Sequence, residues 1–388
     1  IRPLAHLSIR DQTLATAVML CLSDAVESAQ GDPSVRDGLK AQKQSIFSYG
    51  NRLHCRWDQT TRPRPRAFFS WGNSRTYSQY FQDYRAFLAR PRTVCAELSG
   101  RLNGARELFI ISLDIRSFFD CIDRIALVGQ LKALHKEFVA DFGLAEQLQA
   151  DDDFWGITER IFNWEWRPDD RYLASDVMDA EKPLPMGLPQ GLVAAGFLAN
   201  AYMVGFDRLV SSAIDADVDG VVIRDYCRYV DDIRLVVEAD RREDATTIAE
   251  RVQRHVAELL RQHCSTVAAA TPLSINEEKT TAKPYSSISR ENNVSALMEL
   301  HQKAISGTFD LDSLIQATGG LDGLLWLSEQ LDDPHSRKTS PLQLANIAVA
   351  NADVRDDTIK RFAATRIAST LRMRLAMTDT EGAPESDL

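Results

Sequence analysis

One stretch of the sequence decides the fold: Val221-Val222-Ile223-Arg224-Asp225-Tyr226-Cys227-Arg228-Tyr229-Val230-Asp231-Asp232-Ile233-Arg234-Leu235-Val236-Val237. Two runs rich in β-branched and aromatic residues meet at an acidic pair without glycine or proline, which predicts a tight antiparallel hairpin with both carboxylates at its tip. Adjacent carboxylates repel each other, so such a tip favours a bound cation, for which Mg²⁺ is the natural candidate. A solvated Asp-Asp turn is the alternative that this stretch alone leaves open.

A second acidic position follows another predicted strand. The nearly unbroken apolar run from Leu108 to Leu113 ends in Asp114, and such runs are typical of strands buried on both faces. The chain then turns, and a helix is predicted to begin near Asp123. An acid at the end of a buried strand and an acidic hairpin could together hold a pair of metal ions for phosphoryl transfer.

Four segments, in this order, resemble the motifs of reverse transcriptases. They are Leu113-Asp114-Ile115-Arg116-Ser117-Phe118-Phe119-Asp120 for motif A, Leu184-Pro185-Met186-Gly187-Leu188-Pro189-Gln190-Gly191-Leu192 for motif B, Tyr229-Val230-Asp231-Asp232 for motif C, and Leu273-Ser274-Ile275-Asn276-Glu277-Glu278-Lys279-Thr280 for motif D. The resemblance covers residues 107–285. Motif B departs from the family after Gln-Gly, where Leu192-Val193-Ala194-Ala195-Gly196 replaces the usual small polar residues and proline.

The amino-acid sequence around motif C, Arg228 to Ile233, is most similar to that of bacterial abortive-infection and other defence-associated reverse transcriptases. The C-terminal part has no Val-Thr-Gly, which argues against a retron enzyme. This resemblance implies a role in anti-phage defence and a location in the bacterial cytoplasm.

The family resemblance implies an α+β, right-hand polymerase fold, with fingers, a palm built on an antiparallel sheet and an all-helical thumb. The domain boundaries predicted on this basis are 1–106 for an N-terminal helix and basic fingers, 107–285 for the palm with a fingers insertion near 125–182, 286–377 for the thumb, and 378–388 for an acidic tail. The N-terminal helix is predicted from the helical spacing of Leu14, Val18, Met19, Leu22 and Val26.

The resemblance also implies roles for individual residues. Asp114, Asp231 and Asp232, with the Ile115 carbonyl, would hold two Mg²⁺ ions, for which Mn²⁺ could substitute. Lys279, predicted to follow a short strand, would protonate or orient the pyrophosphate. Phe119 stands at the position of the steric gate that favours deoxynucleotides, with the adjacent Phe118 as the alternative. Arg116, Gln190 and Gly191 would contact the incoming nucleotide.

Charge is distributed unevenly along the chain. The net charge is −10, yet residues 40–106 hold thirteen Lys or Arg against three acids, so the rest of the chain carries −20. A local basic block is expected where phosphates bind. It also contains eleven of the 31 aromatic residues, which would suit single-stranded nucleic acid or simply form a fingers core. Nucleic-acid contacts are predicted for Arg62, Arg64 and Arg66, and for Arg361 and Arg366 on the last helix.

The cysteines, the apolar runs and the acidic segment of the sequence exclude some kinds of site and partner. The six cysteines form no Cys-x-x-Cys pair, so neither a zinc site nor a disulfide framework is predicted. We find no apolar run long enough to span a membrane and no signal peptide, and expect no membrane partner. Residues 146–181 hold eleven acids against three arginines, which predicts an outward-facing surface or a contact with another protomer in a homo-oligomer.

The sequence therefore predicts a polymerase that uses dNTPs, an RNA template or a separate non-coding RNA, and makes DNA. Several alternatives stay open. The same site could work without a template or start on a hydroxyl group of the protein itself, or it could use NTPs, which Phe119 argues against. A non-catalytic protein that binds nucleic acid and keeps the palm is the alternative from another class, and a nucleotide cyclase with a related palm is disfavoured by the Pro-Gln-Gly of motif B.

Overall fold

The computed structural model describes residues 5–60, 63–70, 75–78, 80–144, 152–170, 184–288 and 364. The chain divides into two compact units, Ile1–Ser286 and Ser287–Leu388. Apart from residues 286–288 and 364, the predicted helical thumb and acidic tail, with Arg361 and Arg366, lie outside the described residues, as does Arg62. The first unit holds the five-stranded sheet and all four motif segments.

A five-stranded antiparallel sheet forms the centre of this unit. Its strands are β3 (Arg106–Asp114), β4 (Asp217–Val218), β5 (Val221–Tyr229), β6 (Asp232–Asp240) and β7 (Thr281–Pro284), in the order β4-β5-β6-β3-β7. The apolar run predicted as a doubly buried strand is β3, and Leu108, Ile111 and Leu113 are almost fully buried. The two β-branched runs form the predicted hairpin as β5 and β6. A separate pair, β1 (Cys55–Asp58) and β2 (Arg66–Phe69), is also antiparallel.

Helices surround the sheet. They are α1 (Ile9–Gln30), α2 (Gly38–Lys43), α3 (Tyr80–Ser99), α4 (Phe118–Cys121), α5 (Arg124–Asp141), α6 (Asp152–Phe162), α7 (Ala195–Ser212), α8 (Ala245–Thr266) and α9 (Tyr285–Ile288). Helix α1 buries Val18, Met19, Leu22 and Val26, which confirms the predicted spacing. Helix α5 begins where predicted, because the Asp123 carboxylate accepts hydrogen bonds from the Ile125 and Ala126 amides. None of the described helices is both long and apolar enough to cross a bilayer.

After Gln190 and Gly191, a loop continues to Ala194 before α7 begins. One local prediction was wrong. Lys279 does not follow a strand: the preceding segment makes only an isolated bridge, between Ile275 and Ile115, and Lys279 ends a short 3₁₀ turn, Glu277–Lys279. Asparagine and paired glutamates before Lys279 favour such a turn over an extended chain.

His263 makes the stability of this unit depend on pH. It is 1% exposed and lies beside the rings of Tyr202 and Phe206. Its pKa is lowered to about 4, mainly because of burial; the nearby Asp207 acts to raise this pKa and Arg228 acts to lower it. An unfolded histidine titrates near pH 6.5, so the stabilisation is complete above that pH and is lost as the pH falls toward 4. Relative to His263→Gln, wild type should lose roughly 2 kcal/mol of unfolding free energy between pH 7 and pH 5. Urea titrations at both pH values would measure this, and parallel losses in the two proteins would contradict it.

Candidate active site

The acidic hairpin turns in two residues. Tyr229 pairs with Asp232, so Val230 and Asp231 form the turn and Asp232 opens β6. Val230 adopts φ 60°, in the left-handed region that β-branched residues rarely occupy. Such backbone strain persists only where surrounding contacts enforce it, and it concentrates at functional sites. The predicted hairpin with carboxylates at its tip is confirmed, with a strained turn that the sequence did not indicate.

Strand pairing brings the third acid to the same end of the sheet. Asp114 ends β3 directly opposite Asp232 of β6, and the Ile115 amide donates a 3.1 Å hydrogen bond to the Asp231 carbonyl. Residues paired in this way have Cβ atoms only about 4.5–5.5 Å apart. Asp114 is 4% exposed, whereas Asp231 and Asp232 are half-buried. The strand register therefore places three aspartates at one edge of the palm sheet, although Asp114 and Asp231 are 117 residues apart in sequence.

Lys279 lies against this acidic edge. Its Nζ is 3.1 Å from Asp114 Oδ2, and the Asn276 side-chain amide donates to the same oxygen at 3.4 Å. The backbone fixes the segment, because the Asn276 amide donates to the Asp114 carbonyl at 2.7 Å and the Arg116 amide donates to the Ser274 carbonyl at 2.8 Å. Lys279 is half-exposed, so its ammonium can reach both the carboxylate and a substrate.

The chemistry of these donors fits Mg²⁺. This ion prefers carboxylate oxygens and is often bound through one or two of them, with waters and substrate phosphates completing the shell. Asp114, Asp231 and Asp232 offer such oxygens, and the Lys279 contact shows that Asp114 attracts a cation. In the described residues, no group of three or more His, Cys, Asp or Glu side chains is arranged so that it could hold a metal ion. The three aspartates therefore offer suitable ligand types, and an ion here would need further ligands such as waters and substrate phosphates.

The segment resembling motif B packs against the segment resembling motif A. The Leu188 amide donates to the Phe119 carbonyl at 2.8 Å. A Cβ on Gly187 would lie 2.1 Å from that carbonyl oxygen, so only glycine fits there. Of the two candidate gate residues, Phe118 is 3% exposed and belongs to the core, while Phe119 is half-buried. Arg116 is exposed, and Gln190 and Gly191 lie in the loop that follows Leu188.

Gly50 supports the strained turn. A Cβ on this residue would lie 2.7 Å from Val230 Cγ2 and 2.9 Å from the Val230 amide nitrogen. The side chain of Asn51, the next residue, fills the space beside Gly196 of α7. Residues 50 and 51 are thus wedged between motif B's helix and the hairpin tip. Nothing in the sequence around Gly50 marked it as part of the site.

Adding a methyl group at Gly50 should displace the turn. We expect Gly50→Ala to destabilise the protein by about 1–3 kcal/mol through overpacking against Val230. Gly129→Ala is the matched control, since no atom lies within 4 Å of its would-be Cβ on α5. Urea unfolding would test both variants, and equal stabilities of the two would refute the wedge.

A buried polar network holds this region together. Arg228, fully buried, donates from Nε and Nη2 to the two carboxylate oxygens of Asp207 at 2.7 and 2.9 Å, and from Nη1 to Asn200 Oδ1 at 2.8 Å. Asn200 Nδ2 donates to the Gly50 carbonyl at 2.6 Å. The network therefore links β5, α7 and the wedge. An arginine in a strand rich in apolar residues, and the single aspartate of the largely apolar α7, were the signals that could have revealed it.

Much of the basic block is engaged inside the protein. Arg52 pairs with Glu27 and Arg90 pairs with Asp225, all four side chains being almost fully buried. Arg64 lies 2.8 Å from both Glu137 and Asp141. The Arg66 guanidinium stacks on aromatic rings, with its Cζ 4.6 Å from the centroid of Phe68. Several positive charges that the sequence places in this block are thus neutralised by acids from outside it.

Several aromatic residues of the basic block also lie inside the protein. Phe47, Tyr49, Tyr84 and Phe87 are at most 5% exposed, as expected of a core. Tyr84 and Phe87 pack against Tyr229, with ring centroids 5.1 and 5.9 Å away. These aromatics support the residue that precedes the acidic turn. Cys227 nearby is buried too, which raises its pKa to about 12 and keeps the thiol protonated.

Comparison with known proteins agrees with this arrangement. Residues 75–289, more than half of the chain, match the family described as "Reverse transcriptase (RNA-dependent DNA polymerase)". The chain belongs to the reverse transcriptase family. The match includes all four motifs, and the antiparallel palm sheet with its flanking helices is that of a right-hand polymerase fold.

Solved structures similar to this reverse transcriptase include two telomerases, each in complex with a fragment of telomeric RNA. The Candida albicans telomerase is 13% identical, with a TM-score of 0.32, over 74% of this chain and 47% of that chain. The Candida tropicalis telomerase is 14% identical, with a TM-score of 0.31, over 76% and 43%. The reverse transcriptase thus spans less than half the length of either. None of the curated proteins matches its sequence.

Proposed function

We propose that this protein is an RNA-templated DNA polymerase that joins dNTPs by two-metal nucleotidyl transfer. The observation that carries the proposal is the register of the palm sheet, in which Asp114 lies opposite Asp232 while the Ile115 amide is bonded to the Asp231 carbonyl. This register gathers the acids of motifs A and C at one edge, where a triphosphate and a primer end could meet. Membership of a family of RNA-dependent DNA polymerases supports the choice of template and product.

The proposed reaction is in-line attack of a 3′-hydroxyl on the α-phosphate of the incoming nucleotide, which forms the new phosphodiester bond and releases pyrophosphate. Asp114, Asp231 and Asp232, with the Ile115 carbonyl, would hold Mg²⁺ ions, for which Mn²⁺ could substitute. When bound, such ions would stabilise the negative charge that develops during the transfer. The Lys279 ammonium, 3.1 Å from Asp114, is close enough to the site to orient the pyrophosphate or give it a proton. Positioning and electrostatic stabilisation supply most of the acceleration.

The half-buried Phe119 would crowd a ribose 2′-hydroxyl, with Arg116, Gln190 and Gly191 around the same nucleotide. We expect Phe119→Val to raise the use of NTPs relative to dNTPs by about 10- to 100-fold. Phe118→Leu, a change in the adjacent core residue, should leave the sugar preference unchanged. Ratios of kcat/KM for each dNTP and NTP pair would measure the effect. If only Phe118→Leu changed the preference for dNTPs over NTPs, Phe118 would be the steric gate and Phe119 a core residue.

Within the family we propose that the protein is one of the bacterial, cytoplasmic, defence-associated reverse transcriptases. The similarity of its sequence from Arg228 to Ile233 to theirs supports this proposal. The test is phage plating on bacteria that express wild type or Asp231→Asn. Reduced plaque numbers that depend on Asp231 would support a role in defence. Equal plaque numbers over a broad phage panel would reject it.

The polymerase itself is tested by incubating purified protein with each labelled dNTP and NTP in Mg²⁺ or Mn²⁺, with and without RNA. Incorporation of dNTPs that follows the sequence of the added RNA is the expected result. Incorporation without RNA, with the label extracted from the aqueous phase until protease is added, would instead mean protein-primed synthesis without a template. The departure of motif B after Gly191 makes this the second candidate. Nucleic-acid binding without any incorporation would mean a non-catalytic binding protein.

A further inference from the structure

The N-terminal segment contacts the loop that follows the Pro-Gln of motif B. The Ala5 amide donates to the Gln190 carbonyl at 2.8 Å, and a Cβ on Gly191 would lie 3.1 Å from the Ala5 carbonyl oxygen. From the first turn of α1, Gln12 Nε2 donates to the Gly191 carbonyl at 2.8 Å, and Gln12 Oε1 accepts from the Val193 amide at 3.0 Å. The start of the chain therefore clamps a loop nearly 180 residues away.

The loop needs contacts from outside to hold its conformation. Gly191 has φ 111°, a conformation that glycine adopts readily and other residues rarely. Because glycine has no side chain, this residue cannot anchor the loop through a side-chain contact. Helix α7 begins beyond Ala194 without a side-chain cap of its own, and the amide of Val193, just before the helix, finds its acceptor in Gln12. One primary amide offers both a donor and an acceptor in one plane, so Gln12 can bind two peptide groups of the loop together. Tyr77 adds a third anchor, its hydroxyl donating to the Val193 carbonyl at 2.6 Å.

We propose that Gln12 is a positioning residue for the nucleotide site, which holds the Gln190–Gly191 loop in the conformation that receives the incoming dNTP. The inference rests on the proposed function, since Gln190 and Gly191 contact nucleotide only if the protein is a polymerase. Gln12 itself touches the loop and no reacting group. Its loss should therefore weaken nucleotide binding while the chemistry of the acidic edge continues.

The test compares three variants with wild type. Gln12→Ala removes both hydrogen bonds, Gln12→Glu keeps the acceptor for the Val193 amide and loses the donor, and Thr13→Ala changes the next residue of α1, whose hydroxyl bonds only within its helix. We expect KM for dNTP to rise about tenfold in Gln12→Ala and at least as much in Gln12→Glu, whose second carboxylate oxygen would face the Gly191 carbonyl oxygen, with kcat within about twofold of wild type. Thermal stability, affinity for primer and template, and all parameters of Thr13→Ala should stay at wild-type values.

Hydrogen exchange separates the clamp from catalysis. The Val193 amide should exchange faster in Gln12→Ala than in wild type or Thr13→Ala, because it loses its acceptor. Wild-type KM in Gln12→Ala, or a joint fall of kcat and thermal stability, would overturn the positioning role. If wild-type protein incorporates no nucleotide, the proposed polymerase fails. Unchanged exchange at Val193 would refute the clamp even in that case.

Discussion

Asp231→Asn is expected to lower nucleotide incorporation by at least about 10³-fold, since in the proposed mechanism Asp231 would hold metal ions that supply several kcal/mol of charge stabilisation, and each 1.4 kcal/mol is tenfold in rate. The substitution keeps the size of the side chain and removes its negative charge. Its backbone carbonyl can still accept from the Ile115 amide, so the turn should fold as before. Single-turnover incorporation at saturating dNTP measures the loss of rate directly.

Asp219→Asn is the matched control for this prediction. Asp219 lies at the other end of β5, in the exposed turn after β4, and has a positive φ that asparagine tolerates well. It should retain full activity. Both variants should unfold at the wild-type urea concentration. If Asp231→Asn incorporated nucleotides at the wild-type rate, the acidic edge would not be the catalytic centre.

Asp207→Ala is expected to destabilise the protein by about 3–5 kcal/mol, because it leaves the fully buried Arg228 guanidinium without its charge partner. Arg228 would keep its bond to Asn200, which does not neutralise it. The penalty is large compared with a total stability of roughly 5–15 kcal/mol for a typical domain. Urea unfolding followed by circular dichroism would measure it.

The matched control is Asp215→Ala. Asp215 also pairs with an arginine, Arg224, at 2.6 Å, but its side chain is 68% exposed and Arg224 keeps Glu238 as a partner. Exposed ion pairs are worth at most about 1 kcal/mol. Similar losses in the two aspartate variants would mean that burial of the Asp207 pair contributes little.

The parts of the site that the sequence predicts well are local ones. Asp231 and Asp232 lie between two runs of β-branched and aromatic residues, and Asp114 ends an apolar run, so period and composition identify both strands and their ends. Short-range capping by Asp123 likewise identifies the start of α5. The pairing of Asp114 with Asp232 is a tertiary fact, which the motif order suggested and only the sheet register shows.

The parts that the sequence does not predict depend on distant partners. Gly50 matters because Val230 lies against it, and Gln12 matters because the motif B loop reaches it. For Arg64, proline neighbours and a cluster of positive charge suggested an exposed phosphate contact, whereas its guanidinium lies beside two acids of α5. A side chain's role in each case depends on what packs against it, and local periodicity carries no information on that.

The segment that leads into the wedge, residues 46–49, also has a consequence for how the chain is made. Ser48 bridges to Arg228, and the Tyr49 amide donates to the Arg228 carbonyl, across 180 residues of sequence. At roughly 5–20 residues per second, a ribosome releases Arg228 about 10–40 s after Ser48. Throughout that interval Phe47 and Tyr49 lack the strand that buries them. The nascent protein thus carries an exposed aromatic segment until its catalytic hairpin emerges, and its yield in cells should depend on holdase chaperones.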